Sequence, residues 1–187
     1  MMDPFNEGDA VLFMKIGTHA NEDLADIIAR KKREVEQAGF AMWGYGGNTC
    51  HPTTMVQPFA RARSGSGRPI LLCMQPMESR HFAEPIRAEE YSIDGICWRA
   101  VPQEINVLGS RYALCVKALQ EVEISVPLGE TRVAVGNSKG KLGSDYIRGR
   151  VDKACLEVVA HDSATSASVP IQFVAEIVDP YAVLLRS

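Results

Sequence analysis

The most reactive side chains in this 187-residue sequence are five cysteines and four histidines, and one of each stands side by side. In Trp43 to Pro52, WGYGGNTCHP, two aromatics alternate with glycines before Cys50 and His51. A nucleophilic cysteine needs solvent access and a thiolate stabilised by a histidinium or a helix amino terminus. A loop entered through Gly46 and Gly47 would give Cys50 that access, and their backbone N–H groups could hold an oxyanion. Adjacent side chains tend to point apart. The base would therefore be His19, His81 or His161 rather than His51. On this reading Cys50 is also the thiol expected to react fastest.

The aromatic–glycine run suggests a different chemistry. On a strand Trp43 and Tyr45 project from one face, and glycines between and after them leave the backbone approachable. Such a pair can stack on a planar ring. The alternative is that both rings pack into the core beneath a helix and the glycines make a turn.

Two basic, glycine-bearing segments could hold the negative part of a ligand. Gly136 to Arg150 reads GNSKGKLGSDYIRGR, with Lys139, Lys141, Arg148 and Arg150 against Asp145. It fails the phosphate-loop pattern, because three residues instead of four separate Gly136 from Gly140 and Leu142 follows Lys141. Free backbone N–H groups beside lysines still suit an anion. The second segment carries Arg61, Arg63 and Arg68, whose guanidinium forks suit phosphate and carboxylate. Both segments also read as solvated loops. The histidines have neither HExxH nor paired CxxC spacing, no cofactor fingerprint is present, and the glutamates around His81 read as a solvated acidic stretch. No metal and no cofactor are expected.

These readings give three classes. The first is a binding domain for a nucleotide-like or other anionic small molecule, or for a nucleic-acid end. Its ligand-binding residues would be Trp43, Tyr45, Gly46, Gly47, Arg61, Arg63, Arg68, Lys139, Lys141 and Arg148. The second is a cysteine-dependent hydrolase or transferase using Cys50, with His51 beside it and a remote histidine as base. The third is a structural protein that self-associates as a homo-oligomer through strand edges.

The elements that must position these residues follow from hydrophobic period. A single domain over 1–187 is expected, large enough to bury roughly 70% of its unfolded surface. The hydrophobic share of 46% and charged share of 23% are those of a globular protein. A net charge of −3 argues against a generic nucleic-acid binder. The odd cysteine count, with several cysteines inside apolar runs, and the opening MMDPFNEGD read as a reducing, cytoplasmic protein with free thiols. No apolar run reaches the roughly 20 residues of a membrane span.

Ala10 to Ile16 reads as a strand. A helix follows over about 21–39, capped by Asn21, stopped by Gly39, and apolar at Leu24, Ile27, Ile28 and Val35. The run Arg30 to Arg33 is expected largely to face water or to carry its stems along the edge. After Gly39 the period becomes two, placing Phe40 and Met42 on one face and Ala41, Trp43 and Tyr45 on the other. Residues 46 to 69 read as loop, and Ile70 to Met74 as a short strand. From Tyr91 onward short strand-like runs predominate, with a helical turn at Ser144 to Arg148 and a hairpin tip at His161 to Ser168. The count is nine or ten strands to one good helix, without alternation. That pattern predicts an α+β fold: a predominantly antiparallel β-sheet or partly open β-barrel carrying one long packed helix.

Overall fold

A computed structural model of the chain describes residues 5–45, 49–148, 151–159 and 167–187, excluding the side chains of Arg80 and His81. Nine strands form one open, mixed, mostly antiparallel sheet. They are β1 (Ala10–His19), β2 (Ala41–Tyr45), β3 (Ile70–His81), β4 (Glu90–Ser92), β5 (Arg99–Ala100), β6 (Tyr112–Val126), β7 (Thr131–Val133), β8 (Lys153–Val158) and β9 (Val169–Arg186). The strand order is β2-β6-β9-β3-β1-β8-β7, with β4 and β5 joined to the side through β9. The α+β class is as expected, and the sheet remains open instead of closing into a barrel. β1 and β3 make the one parallel pairing among the described strands.

The long helix, α1 (Leu24–Ala38), ends where glycine allows it. Gly39 sits at φ 84° and its N–H donates to the Val35 carbonyl. Its beginning differs from expectation. Ala20 and Asn21 are both left-handed, in a two-residue turn closed by reciprocal backbone bonds between His19 and Glu22. Asn21 is thus used by the turn, and the cap position falls to Asp23. Ile27 and Ile28 are buried, while Leu24 and Val35 pack half-buried against the same core.

The expectation that Arg30 to Arg33 faces water also needs correction. Lys31 is buried, because it lies three and four residues beyond Ile28 and Ile27, on their face of the helix. Its ammonium donates to Glu34 Oε2 at 2.9 Å and to the Asn106 carbonyl at 3.0 Å. Glu34, equally buried, also accepts from Arg30 at 3.1 Å and from the Asn106 N–H at 3.0 Å. Two cations and one buried carboxylate therefore fasten α1 to the loop before β6.

Residues 46 to 69 are not all loop. A π-helical turn, Pro52–Val56, runs into a second helix, α2 (Gln57–Ser64). Each proline stands in the first turn of its helical segment, where its missing N–H costs nothing. Gln57 anchors the start of α2 by donating to the Ala182 carbonyl at 2.8 Å. A short third helix, α3 (Gly143–Tyr146), supplies the turn expected near Ser144.

Several strands are longer than their apolar runs. β6 continues through left-handed Ala118, and β9 continues through a bulge holding the cis Asp179–Pro180 bond and left-handed Tyr181. Residues 160–166 lie outside the described residues. The hairpin tip expected at His161 to Ser168 falls largely on them, and the flanking strands β8 and β9 do not pair with each other.

The core has three parts. On the helix-bearing face, Leu12 and Met14 of β1, Trp43 and Tyr45 of β2, and Leu72 and Met74 of β3 pack with Ile27, Ile28 and Phe59. On the reverse face, Val11, Phe13 and Leu156 pack with Val126 and Ile171, from the far ends of β6 and β9. A third cluster, around Met42, Ala113 and Val183, is covered by residues 101 to 107. Three strands separate β2 from β1 in the sheet, yet Trp43 and Met14 border one cavity, and Cys50, just past β2, touches Cys155 of β8. The sheet therefore curls, and its helix-bearing face is concave.

Candidate functional site

The concave face is not completely filled. A cavity of about 390 Å³ lies at the carboxyl ends of β1 and β3, bounded by α1, β2, the 107–112 segment and the start of β8. The carboxyl end of a parallel pair is where open sheets with crossover connections leave room for ligands. Met14, Ile16 and Ile27 give the cavity apolar walls, and Trp43, Tyr45 and Tyr112 add aromatic ones.

Two glycines in the lining exist because serines occupy the space beside them. A methyl group on Gly44 would collide with Ser110 Oγ, and one on Gly17 with Ser79 Oγ and the Met77 carbonyl, 2.7 Å away. Both serines also line the cavity.

Polar groups enter from three sides. Lys153 pairs across the ladder with Met14, which places it on the concave face, and it is 7% exposed. Among the described residues its one ion pair is a long contact of 3.7 Å to Asp152. Arg111 lies exposed at the cavity border. From α1 come Arg30 and Lys31, the first held by Glu22 at 2.6 Å and both by Glu34. Burial lowers the Lys31 ammonium from 10.5 to about 8, against the opposing pull of Glu34.

The third polar contribution is Tyr45. Its ring is buried, and its hydroxyl has no hydrogen-bond partner among the described residues. Burial drives its ionisation far above the ordinary range, so the group is a neutral donor. A buried hydroxyl without a partner costs on the order of 1–3 kcal/mol.

Ser110 and His19 lie together in the lining, with Ser110 Oγ 3.3 Å from His19 Nε2. That spacing suggests a nucleophile and its base, but the second contact of the ring excludes the pairing. Nε2 lies 3.1 Å from the Leu108 carbonyl, which can only accept. Nε2 therefore carries the proton and cannot take one from Ser110.

The expected site residues fall in separate places. Trp43 and Tyr45 line the cavity from β2, with Trp43 4% exposed, so they form part of a wall and not an open platform. Gly46 and Gly47 lie outside the described residues. Lys139 and Lys141 are exposed on the turn after β7 and take no part in the cavity lining. Arg148 is exposed and pairs with Asp145 at 3.2 Å, while Arg150 lies outside the described residues. Arg61 is exposed in the last turn of α2. Arg63 is held by Glu157 at 2.5 Å and by the Gly8 carbonyl, and Arg68 by Asp9 at 3.0 Å and the Glu7 carbonyl. The second basic segment thus spans to the start of β1 and to β8.

Cys50 is buried, and this corrects the expectation that it is the most open thiol; Cys97 is the exposed one. The loop closes because Cys50 takes a left-handed conformation, φ 60°, and turns its sulfur inward. Among the described residues that sulfur has one hydrogen-bonding partner, Cys155 Sγ at 3.7 Å. His51 is engaged elsewhere. Its Nδ1 accepts from the Thr53 N–H at 3.3 Å and caps the π-helical turn, and its ring lies edge-on to Tyr112. His161 lies outside the described residues, as does the His81 side chain.

Lys153, Lys31, Ser110 and Tyr112 were not singled out by sequence reasoning. A signal existed for the two lysines. Lys153 shares its alternation with buried Cys155, and Lys31 lies on the apolar stripe of its helix. No signal marked Ser110 or Tyr112.

No family model matches the chain, and no curated protein or solved structure shows significant similarity to it. Among the described residues no cluster of three metal-ligating side chains occurs, and no helix is long and apolar enough to cross a membrane.

Proposed function

We propose that the protein binds a small ligand in this cavity, with a planar apolar part against Trp43, Tyr45 and Tyr112 and an anionic group at Lys153. The observation carrying this reading is a buried lysine, Lys153, that shares a cavity with the rings of Trp43, Tyr45 and Tyr112. Arg30 and Lys31 are matched by Glu22 and Glu34, so the remaining positive charge of the lining lies with Lys15, Lys153 and Arg111, against Asp152. A carboxylate or phosphate fits that excess. A volume near 390 Å³ suits a molecule the size of a mononucleotide or an aromatic acid, within the usual range of small-molecule pockets. An extended nucleic-acid strand would need a continuous basic groove, and the lysines of the Gly136 to Arg150 segment lie outside the lining.

The test is a thermal-shift screen of mononucleotides, sugar phosphates and aromatic carboxylates. A compound at 100 times its dissociation constant stabilises the native state by about 2.7 kcal/mol. Lys153→Met should weaken binding of any hit and flatten its salt dependence. A screen without a hit refutes the proposal, as does a hit whose affinity Lys153→Met leaves unchanged.

A further inference from the structure

Cys50 and Cys155 stand in sulfur–sulfur contact at 3.7 Å although 105 residues separate them in the chain. Cys50 belongs to the connection between β2 and α2, and Cys155 to β8, whose neighbour β1 is separated from β2 by three strands in the sheet. The contact therefore closes the gap left by the curled sheet. We infer that Cys50 and Cys155 form a reversible, peroxide-driven disulfide that fastens the β2–α2 connection to β8 beside the cavity wall.

Two observations support this site. The two sulfurs already touch, and they face one another from elements that each hold firm. Leu12 pairs with Cys155 in the β1–β8 ladder, and His51 caps the turn that follows Cys50. Next, Cys50 is one of the few left-handed residues that are not glycine, a conformation the surroundings must impose.

The chemistry balances in two steps. One thiol of the pair and hydrogen peroxide give its sulfenic acid and one water. The other thiol then attacks that sulfur, forming the disulfide and releasing a second water. Two thiols are oxidised and the peroxide is reduced. Because both sulfurs are buried, the reaction suits an oxidant of water size and excludes bulky disulfides such as oxidised glutathione. The inference stands independently of the ligand reading, since neither step involves the cavity contents.

The experiment is peroxide titration of the reduced, folded protein, followed by peptide mapping without reduction. The expected product is a linked pair of peptides holding Cys50 and Cys155, restored to free thiols by dithiothreitol. The melting temperature of the oxidised form should rise by about 5–10 °C, because the bridge closes a long loop. In Cys155→Ala and in Cys50→Ala alike the linked pair should vanish, and dimedone should capture a sulfenic acid on the remaining member of the pair in at least one of them. Complete oxidation of Cys97 while Cys50 and Cys155 both remain thiols would overturn the inference, as would a bridge joining either of them to a different cysteine.

Discussion

Replacing Lys31 by methionine should change how stability depends on pH, in a direction and by an amount the structure sets. The Lys31 ammonium ionises at about 8 in the fold, against 10.5 when unfolded, and burial is the main cause. That gap corresponds to ~3 kcal/mol. Below pH 8 both states carry the charge, and the folded state bears the whole penalty. Between pH 8 and 10.5 the native lysine is neutral while the unfolded one still binds a proton, so stability rises with pH. The wild type also contains groups with the opposite slope. Burial pushes the thiols of Cys73 and Cys115 up to about 12, so their contribution is lost as pH rises from 9. The variant shares those groups, and they cancel in a difference. Urea unfolding of both proteins from pH 7 to pH 10 isolates the lysine. Wild-type stability minus that of Lys31→Met should climb by about 2–3 kcal/mol over that range. At pH 7 the variant should be at least as stable as the wild type, because Glu34 keeps Arg30 and the Asn106 N–H. A difference that stays flat with pH would show that the ammonium is solvated, and the account of its burial would be wrong.

Truncating the acidic partner should have the opposite effect. Glu34→Ala leaves Lys31 buried with one carbonyl acceptor and Arg30 with Glu22 and the Asn106 carbonyl, so it should cost about 3–5 kcal/mol in the same urea assay. A cost below 1 kcal/mol would mean that the network is not closed to water. In native, reduced protein a bulky thiol reagent should modify Cys97 first and the other four cysteines only on unfolding, because Cys97 alone is exposed. Early modification of Cys50, followed by mass spectrometry, would contradict its inward turn.

Much of the fold could be read from local patterns, and the site could not. The change of period at Gly39 separated helix from strand and put Ala41, Trp43 and Tyr45 on one face, which packs with α1 in the structure. Pro52 and Pro58 were misread because a proline in the first turn of a helix looks, in sequence, the same as a breaker. β6 and β9 looked like broken runs because left-handed residues interrupt their alternation without ending their pairing. The cavity draws on β1, α1, β2, β3, the 107–112 segment and β8, and local periodicity carries no information on how those meet. Lys153 was not singled out, because the β1–β8 register that turns it inward beside Met14 pairs residues far apart in the chain.

The pairing of β1 bears on how the chain reaches this structure. β1 lies inside the sheet between β3 and β8, and its ladder joins Ala10 to Ile70 on one side and to Glu157 on the other. Tyr112 likewise waits for Leu184. Contacts this distant in sequence close slowly, because loop entropy is lost before the pairing compensates for it. While the chain emerges, one edge of β1 stays unsatisfied until β8 is made, with Val11, Leu12 and Phe13 uncovered beside it. Self-association should therefore be sought first in nascent or partly unfolded chains, and fusions or truncations that delay β8 should aggregate before they unfold.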